Sequence, residues 1–120
     1  MKYFKSDPLD FQFITAKVGE LIGISDPQKM RSHLSYLLEE ISYAKYQWEN
    51  SLEKEDWEQA ATILHREKLI IQQLELAKDD TILLGIQRRD PVYQPAELKL
   101  FYGELIELFR ELEKLVGSSV

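Results

Sequence analysis

The sequence predicts an all-α protein, and three observations carry that prediction. Apolar residues recur at intervals of three and four over long stretches, the period of one helical face. No segment shows the alternation and β-branched enrichment of a strand. Three Asp-Pro pairs punctuate the chain at Asp7-Pro8, Asp26-Pro27 and Asp90-Pro91. Each suits an Asp cap with proline in the first helical turn, or a turn.

Asp7-Pro8 opens a first segment in which Phe11, Ile14, Val18 and Leu21 share a face, with a stop expected near Gly23, before Ser25. Asp26-Pro27 opens a second helix on which Met30, Leu34, Leu37, Ile41, Ala44 and Trp48 form a sustained seam. Nothing interrupts it before the Lys54-Glu55-Asp56 turn, so a helix of about 28 residues is expected. Asp56-Trp57-Glu58-Gln59 reads as a capping box, Asp56 accepting from first-turn amides and Gln59 reaching back. The third helix then carries Trp57, Ala60, Leu64, Ile71 and Leu74, with Glu67 where an apolar residue is expected. Asp79-Asp80 marks a turn, and a short helix from about Thr81 bears Leu83, Leu84 and Ile86 before Asp90-Pro91 ends it. Pro95 opens the last helix, with Leu98, Phe101, Leu105, Leu108, Leu112 and Leu115 inward and Gly117 as C-cap. The expected architecture is an antiparallel four-helix bundle with an additional N-terminal helix. It forms a single domain over residues 1–120, in which residues 1–6 are a flexible tail.

Composition removes several function classes. Apolar residues make up 44% and charged residues 30%, a globular balance. The absence of cysteine excludes disulfides, thiol chemistry and Cys-based zinc sites. A net charge of −6 disfavours nucleic acid, which needs a basic footprint; the adjacent Arg88 and Arg89 read as a favourable helix C-terminus. No apolar run suggests a signal peptide or a membrane span, so a cytoplasmic protein is expected, without membrane partners. Glu39-Glu40 and Glu111-Glu113 lack the Glu-x-x-His spacing of di-metal bundles, and no metal is expected. Tyr43, Tyr46 and Tyr102 lie off the main seams and are expected to furnish an apolar docking patch. A monomer is expected, although the seam of residues 30–48 would serve a dimer equally well.

His33 and His65 are the two histidines. His33 reads as a helix-surface residue. His65 lies beside the seam of Trp57, Leu64 and Ile71 at ~100° per residue, so its ring is expected half-exposed on a helix flank. A neutral imidazole is nucleophilic near physiological pH, its ordinary pKa being ~6.5. Lys68 stands one turn away, where it would pair with an anion on the ring.

The stretch from Asp56-Trp57 to His65 and Lys68 resembles the histidine-containing phosphotransfer (HPt) family. There an Asp-Trp pair is commonly followed nine residues later by the phosphorylated histidine and three residues beyond by a lysine, the spacings found here. Family members often carry an Asp-Pro about thirty residues before the Asp-Trp, and Asp26 precedes Asp56 by thirty. The resemblance covers residues 20–78 and implies a phosphorelay carrier rather than a full enzyme. A receiver-domain aspartate would donate a phosphoryl group to His65, assisted by Lys68, and another receiver would take it on. The implied partners are a response-regulator receiver domain or a hybrid histidine kinase, docking over Ala61, Leu69 and Gln72. No cofactor of the chain itself is implied: Mg²⁺ would belong to the receiver. Without a nucleotide-binding glycine loop, no ATP-dependent kinase activity is expected.

The chain departs from the family pattern after the histidine. Leu69 stands where a glycine normally lets the receiver approach, and Glu67 replaces a core leucine. The alternative is a non-catalytic helical interaction protein, either a degenerate HPt adaptor or one like the small flagellar export chaperones. The latter are acidic and helical, with a similar Lys-Glu-rich, leucine-spaced helix.

Overall fold

A computed structural model describes every residue except 7, 8, 23–25, 119 and 120. Five helices follow in order: α1 (Phe11–Ile22), α2 (Pro27–Lys54), α3 (Trp57–Gln73), α4 (Asp80–Gln87) and α5 (Pro95–Gly117). Among the described residues the only β pairing is an isolated antiparallel bridge between Phe4 and Ala77. The all-α reading therefore stands. The Asp7-Pro8 start, the Gly23 stop before Ser25 and the inward face of Leu21 lie outside the described residues.

Helix α2 is the spine. Its 28 residues span roughly 42 Å at ~1.5 Å each, close to the 45 Å long axis of the molecule. Asp26 caps it by accepting from the Gln28 amide at 3.0 Å, with Pro27 in the first turn. Helices α5 and α3 pack along it, and α4 packs on α3. The centre of the α2 seam is Trp48, fully buried, edge-on to Phe109 of α5 at 4.9 Å and donating its indole N–H to the Ala60 carbonyl of α3 at 3.2 Å. One side chain thus ties three helices together.

Helix ends follow a common device without its usual residue. Glu55, Glu75 and Arg89 hold left-handed backbone with φ near 55°, at 54°, 54° and 56°. Each follows a helix whose last carbonyls are closed by the next two amides: Glu55 and Asp56 onto Leu52 and Ser51, Glu75 and Leu76 onto Gln72 and Ile71, Arg89 and Asp90 onto Ile86 and Gly85. This is the Schellman arrangement, in which glycine normally occupies the left-handed position.

Several expectations are corrected. Helix α1 begins at Phe11, where Asp10 accepts from Gln12 N at 2.9 Å. The capping box of α3 is half formed. Asp56 accepts from Gln59 N at 3.1 Å, but the Gln59 side chain accepts from Ser51 Oγ, because the Asp56 amide is already spent on the Ser51 carbonyl. Gly117 is the last helical residue rather than the C-cap. The cap is Ser118, whose φ of −72° needs no glycine. Tyr102 is not a surface patch. It is 1% exposed and stacks on Trp57 at 6.3 Å, since α5 is covered on two sides and buries a stripe wider than a heptad seam.

Residues 1–6 are not a free tail. Tyr3 and Phe4 are buried, both against Phe101, with ring centroids at 5.5 and 5.1 Å. Lys5 N donates to Leu76 O and Lys78 N to Tyr3 O, each at 2.9 Å, and the Glu104 carboxylate accepts from the amides of Lys2 and Tyr3. Two aromatic side chains, two backbone–backbone bonds and two amide bonds to the Glu104 carboxylate oppose the entropy that would otherwise leave a short terminus loose.

Candidate functional site

Helix α3 presents two different faces to two different neighbours. Its inward stripe is Ala60, Ala61, Ile63, Leu64, Glu67 and Ile71, all buried. His65 and Arg66, which follow Leu64, turn out of that stripe in opposite senses. His65 is exposed and meets Gln87 at the end of α4, while Arg66 reaches Gln47 and Glu40 of α2.

Gln87 Nε2 lies 2.6 Å from His65 Nδ1. An amide has the same shape turned end for end, and that separation is short for two nitrogens. With the Gln87 oxygen facing the ring, Nδ1 carries the hydrogen and donates it, and Nε2 keeps its lone pair. Among the described residues no hydrogen bond engages Nε2. The ring borders a depression of about 280 Å³ lined by Glu58, Ala61, Thr62, His65, Gln87 and Arg89.

The other residues that the sequence brings to this face are distributed unevenly. Lys68, one turn on, is half-buried and lies outside the lining of the depression. Leu69 is 56% exposed, Gln72 is half-buried and Ala61 is buried. By helical spacing, residues 61, 65, 68, 69 and 72 share one side of α3. Tyr43 and Tyr46 are exposed on α2, as their spacing predicts, and the Tyr43 ring lies against the Arg66 guanidinium. His33 is half-buried and edge-on to Tyr36 at 6.5 Å, in a shallow groove with Tyr43 and Ile70.

Behind the histidine sits an unusual polar cluster. Glu67 is fully buried, and the Arg66 Nε lies 3.1 Å from both Glu67 Oε1 and Glu40 Oε1. Arg66 also donates to Gln47 Oε1 at 3.2 Å and rests on the Tyr43 ring, 5.1 Å from its centroid. Burial, and then a hydrogen bond to Glu40, push the Glu67 carboxyl up to about 8 against the opposing pull of Arg66. Glu67 Oε2 is buried without a hydrogen-bond partner, so nothing there offsets the cost of burying a charge. The partners of the buried Glu67 are thus the residue before it and a carboxyl from α2, both about two-fifths exposed.

Sequence reasoning missed Gln87, Arg89 and Glu40. No helical period relates α3 to α4; the available signal is that His65 and Gln87 are equidistant from Leu76, in the turn of the hairpin that joins their helices. Among the described residues no cluster of His, Asp or Glu is arranged to hold a metal, and no helix is long and apolar enough to cross a membrane. Comparison with protein-family models, with curated proteins and with solved structures gave no match.

Proposed function

We propose that this chain is a phosphohistidine carrier of the HPt kind, which accepts a phosphoryl group from a receiver aspartate on His65 and passes it to a second receiver. The observation that carries the reading is the His65 ring itself: exposed, held at Nδ1 by a residue of another helix, and open at Nε2. An imidazole so anchored is oriented without being covered. That is what transfer between two macromolecules demands, because positioning supplies most of the rate. The Asp26, Asp56, His65 and Lys68 spacings support the same reading. In this reading α2, α3, α4 and α5 form an antiparallel four-helix bundle and α1 is an additional helix. Leu69 and Gln72 would meet the receiver on one side of the ring, with Ala61 beneath. The receiver brings its own Mg²⁺, and the reading locates the protein in the cytoplasm as a monomer.

Mixing the protein with a phosphorylated receiver and Mg²⁺ is expected to yield an acid-labile, alkali-stable phosphoramidate that disappears in His65→Gln. Failure of every receiver tested to label His65 refutes the carrier. The second reading, a non-catalytic adaptor or export-chaperone-like protein, is favoured by the exposure of Leu69 at 56% and of Tyr36 at 69%. It expects a stable complex with a partner that survives His65→Gln unchanged.

A further inference from the structure

On the outer face of α2 two exposed rings, Tyr36 and Tyr43, stand one heptad apart. Glu39 and Glu40 lie between them, each within one helical turn of both rings. All four line a shallow groove of about 590 Å³, to which Val18 of α1, Leu37 of α2 and Ile70 of α3 add apolar surface.

Half of this arrangement already holds a cation. The Arg66 guanidinium lies 5.1 Å from the Tyr43 centroid, with Nε 3.1 Å from Glu40 Oε1 and a terminal nitrogen donating to Gln47 Oε1 at 3.2 Å. A ring face and a carboxylate thus share one guanidinium, as cation–π attraction and the planar donor fork both favour. The other half is built from the same parts. Tyr36 presents its ring to solvent, and the exposed Glu39 stands one turn on. His33 meets that ring edge-on at 6.5 Å. Among the described residues no lysine or arginine pairs with Glu39 or lies over the Tyr36 ring.

We propose that the Tyr36–Glu39 half of the groove binds an arginine side chain from a basic segment of a partner protein, stacked on the Tyr36 ring and paired with Glu39, while apolar neighbours of that arginine rest on Val18, Leu37 and Ile70. Charge complementarity selects this occupant. The chain carries a net charge of −6, and its field draws a cationic segment in and orients it. A second copy of the chain would bring like carboxylates to the groove, and a nucleic acid or anionic lipid surface would bring phosphates. Arginine suits the place better than lysine because its weakly hydrated plane both stacks on a ring and pairs with a carboxylate. The groove shares no lining residue with the depression beside His65, and its occupation does not require that histidine to be phosphorylated.

The test titrates the full chain, labelled with nitrogen-15, with an acetylated Arg-Leu-Ala-Arg-Leu-Ala-Arg peptide. A second peptide carries citrulline, a neutral group of the same shape, in place of each arginine. The arginine peptide is expected to shift the amide signals of His33, Tyr36, Glu39 and Glu40 and to bind about tenfold more tightly than the citrulline peptide. Tyr36→Leu and Glu39→Gln should each weaken it about three- to fivefold. Tyr36→Phe, which keeps the ring face, and His65→Gln should leave it unchanged. Equal affinity for the two peptides overturns the proposal and leaves an apolar groove indifferent to charge. Shifts spread over the whole acidic surface and unaffected by Tyr36→Leu and Glu39→Gln overturn it as well, since they reflect general attraction alone. Absence of binding does the same, as does concentration-dependent broadening of these signals without peptide, which assigns the groove to a second copy.

Discussion

Replacing Glu67 by glutamine converts the buried carboxyl into a group of the same shape that does not titrate. In the folded chain this carboxyl is raised from its ordinary value of 4.5 to about 8, first by burial and then by its hydrogen bond to Glu40. Between those two values the native state keeps a proton that the unfolded chain has released, so rising pH favours unfolding. The stability is fully present below about pH 4.5, declines through about pH 8 and is flat beyond. At ~1.4 kcal/mol for each tenfold change in proton activity, the interval amounts to about 5 kcal/mol. That is a large part of the ~5–15 kcal/mol that holds a typical domain folded. Glutamine at the same place accepts from Arg66 and donates to Glu40 at every pH. Urea unfolding followed by far-UV circular dichroism from pH 4.5 to 9.5, at fixed ionic strength, measures the difference. The two proteins should agree within ~1 kcal/mol near pH 5, and Glu67→Gln should be the more stable by about 3–5 kcal/mol at pH 9. Other titrating groups cancel in the subtraction. A difference that does not change with pH would refute the assignment of a protonated, buried Glu67.

Three further outcomes follow from the packing. Glu75→Gly relieves a left-handed backbone at φ 54° and is expected to add about 0.5–1 kcal/mol in urea melts, since glycine occupies that region without a Cβ penalty. Phe4→Ala removes a fully buried ring at a cost of about 3–5 kcal/mol; hydrogen exchange should show the amides of Lys5 and Lys78, which close the terminus onto residues 76 and 3, losing protection ahead of α2. Gly85→Ala would place a Cβ 2.9 Å from Tyr93 Cε2 and is expected to cost about 1–3 kcal/mol by overpacking. The loss should shrink in the double variant with Tyr93→Ala, and an equal loss in both backgrounds would contradict the contact.

The elements that were legible in the sequence are those whose causes are local. Asp26-Pro27 and the Lys54-Glu55-Asp56 turn bound α2 because a cap and a stop act within a few residues, and the predicted span of about 28 residues matches Pro27–Lys54. His65 was placed correctly on the exposed flank of α3 because helical period alone turns it away from Leu64. Glu67 announced itself as an anomaly in the seam. Its remedy did not, because Glu40 lies on another helix and only packing brings the two carboxyls to one guanidinium.

The same division runs through the rest of the molecule. Composition and periodicity by themselves determined that the chain is helical, where its long helices begin and which faces are apolar, since these rest on interactions three or four residues apart. Tertiary structure alone decided that Tyr102 is sealed against Trp57, that the first six residues dock on Phe101 and Glu104, and that Gln87 and Arg89 stand beside His65. Each of those depends on which face meets which across a turn, and that choice is made by the whole core packing at once rather than by any short stretch of chain.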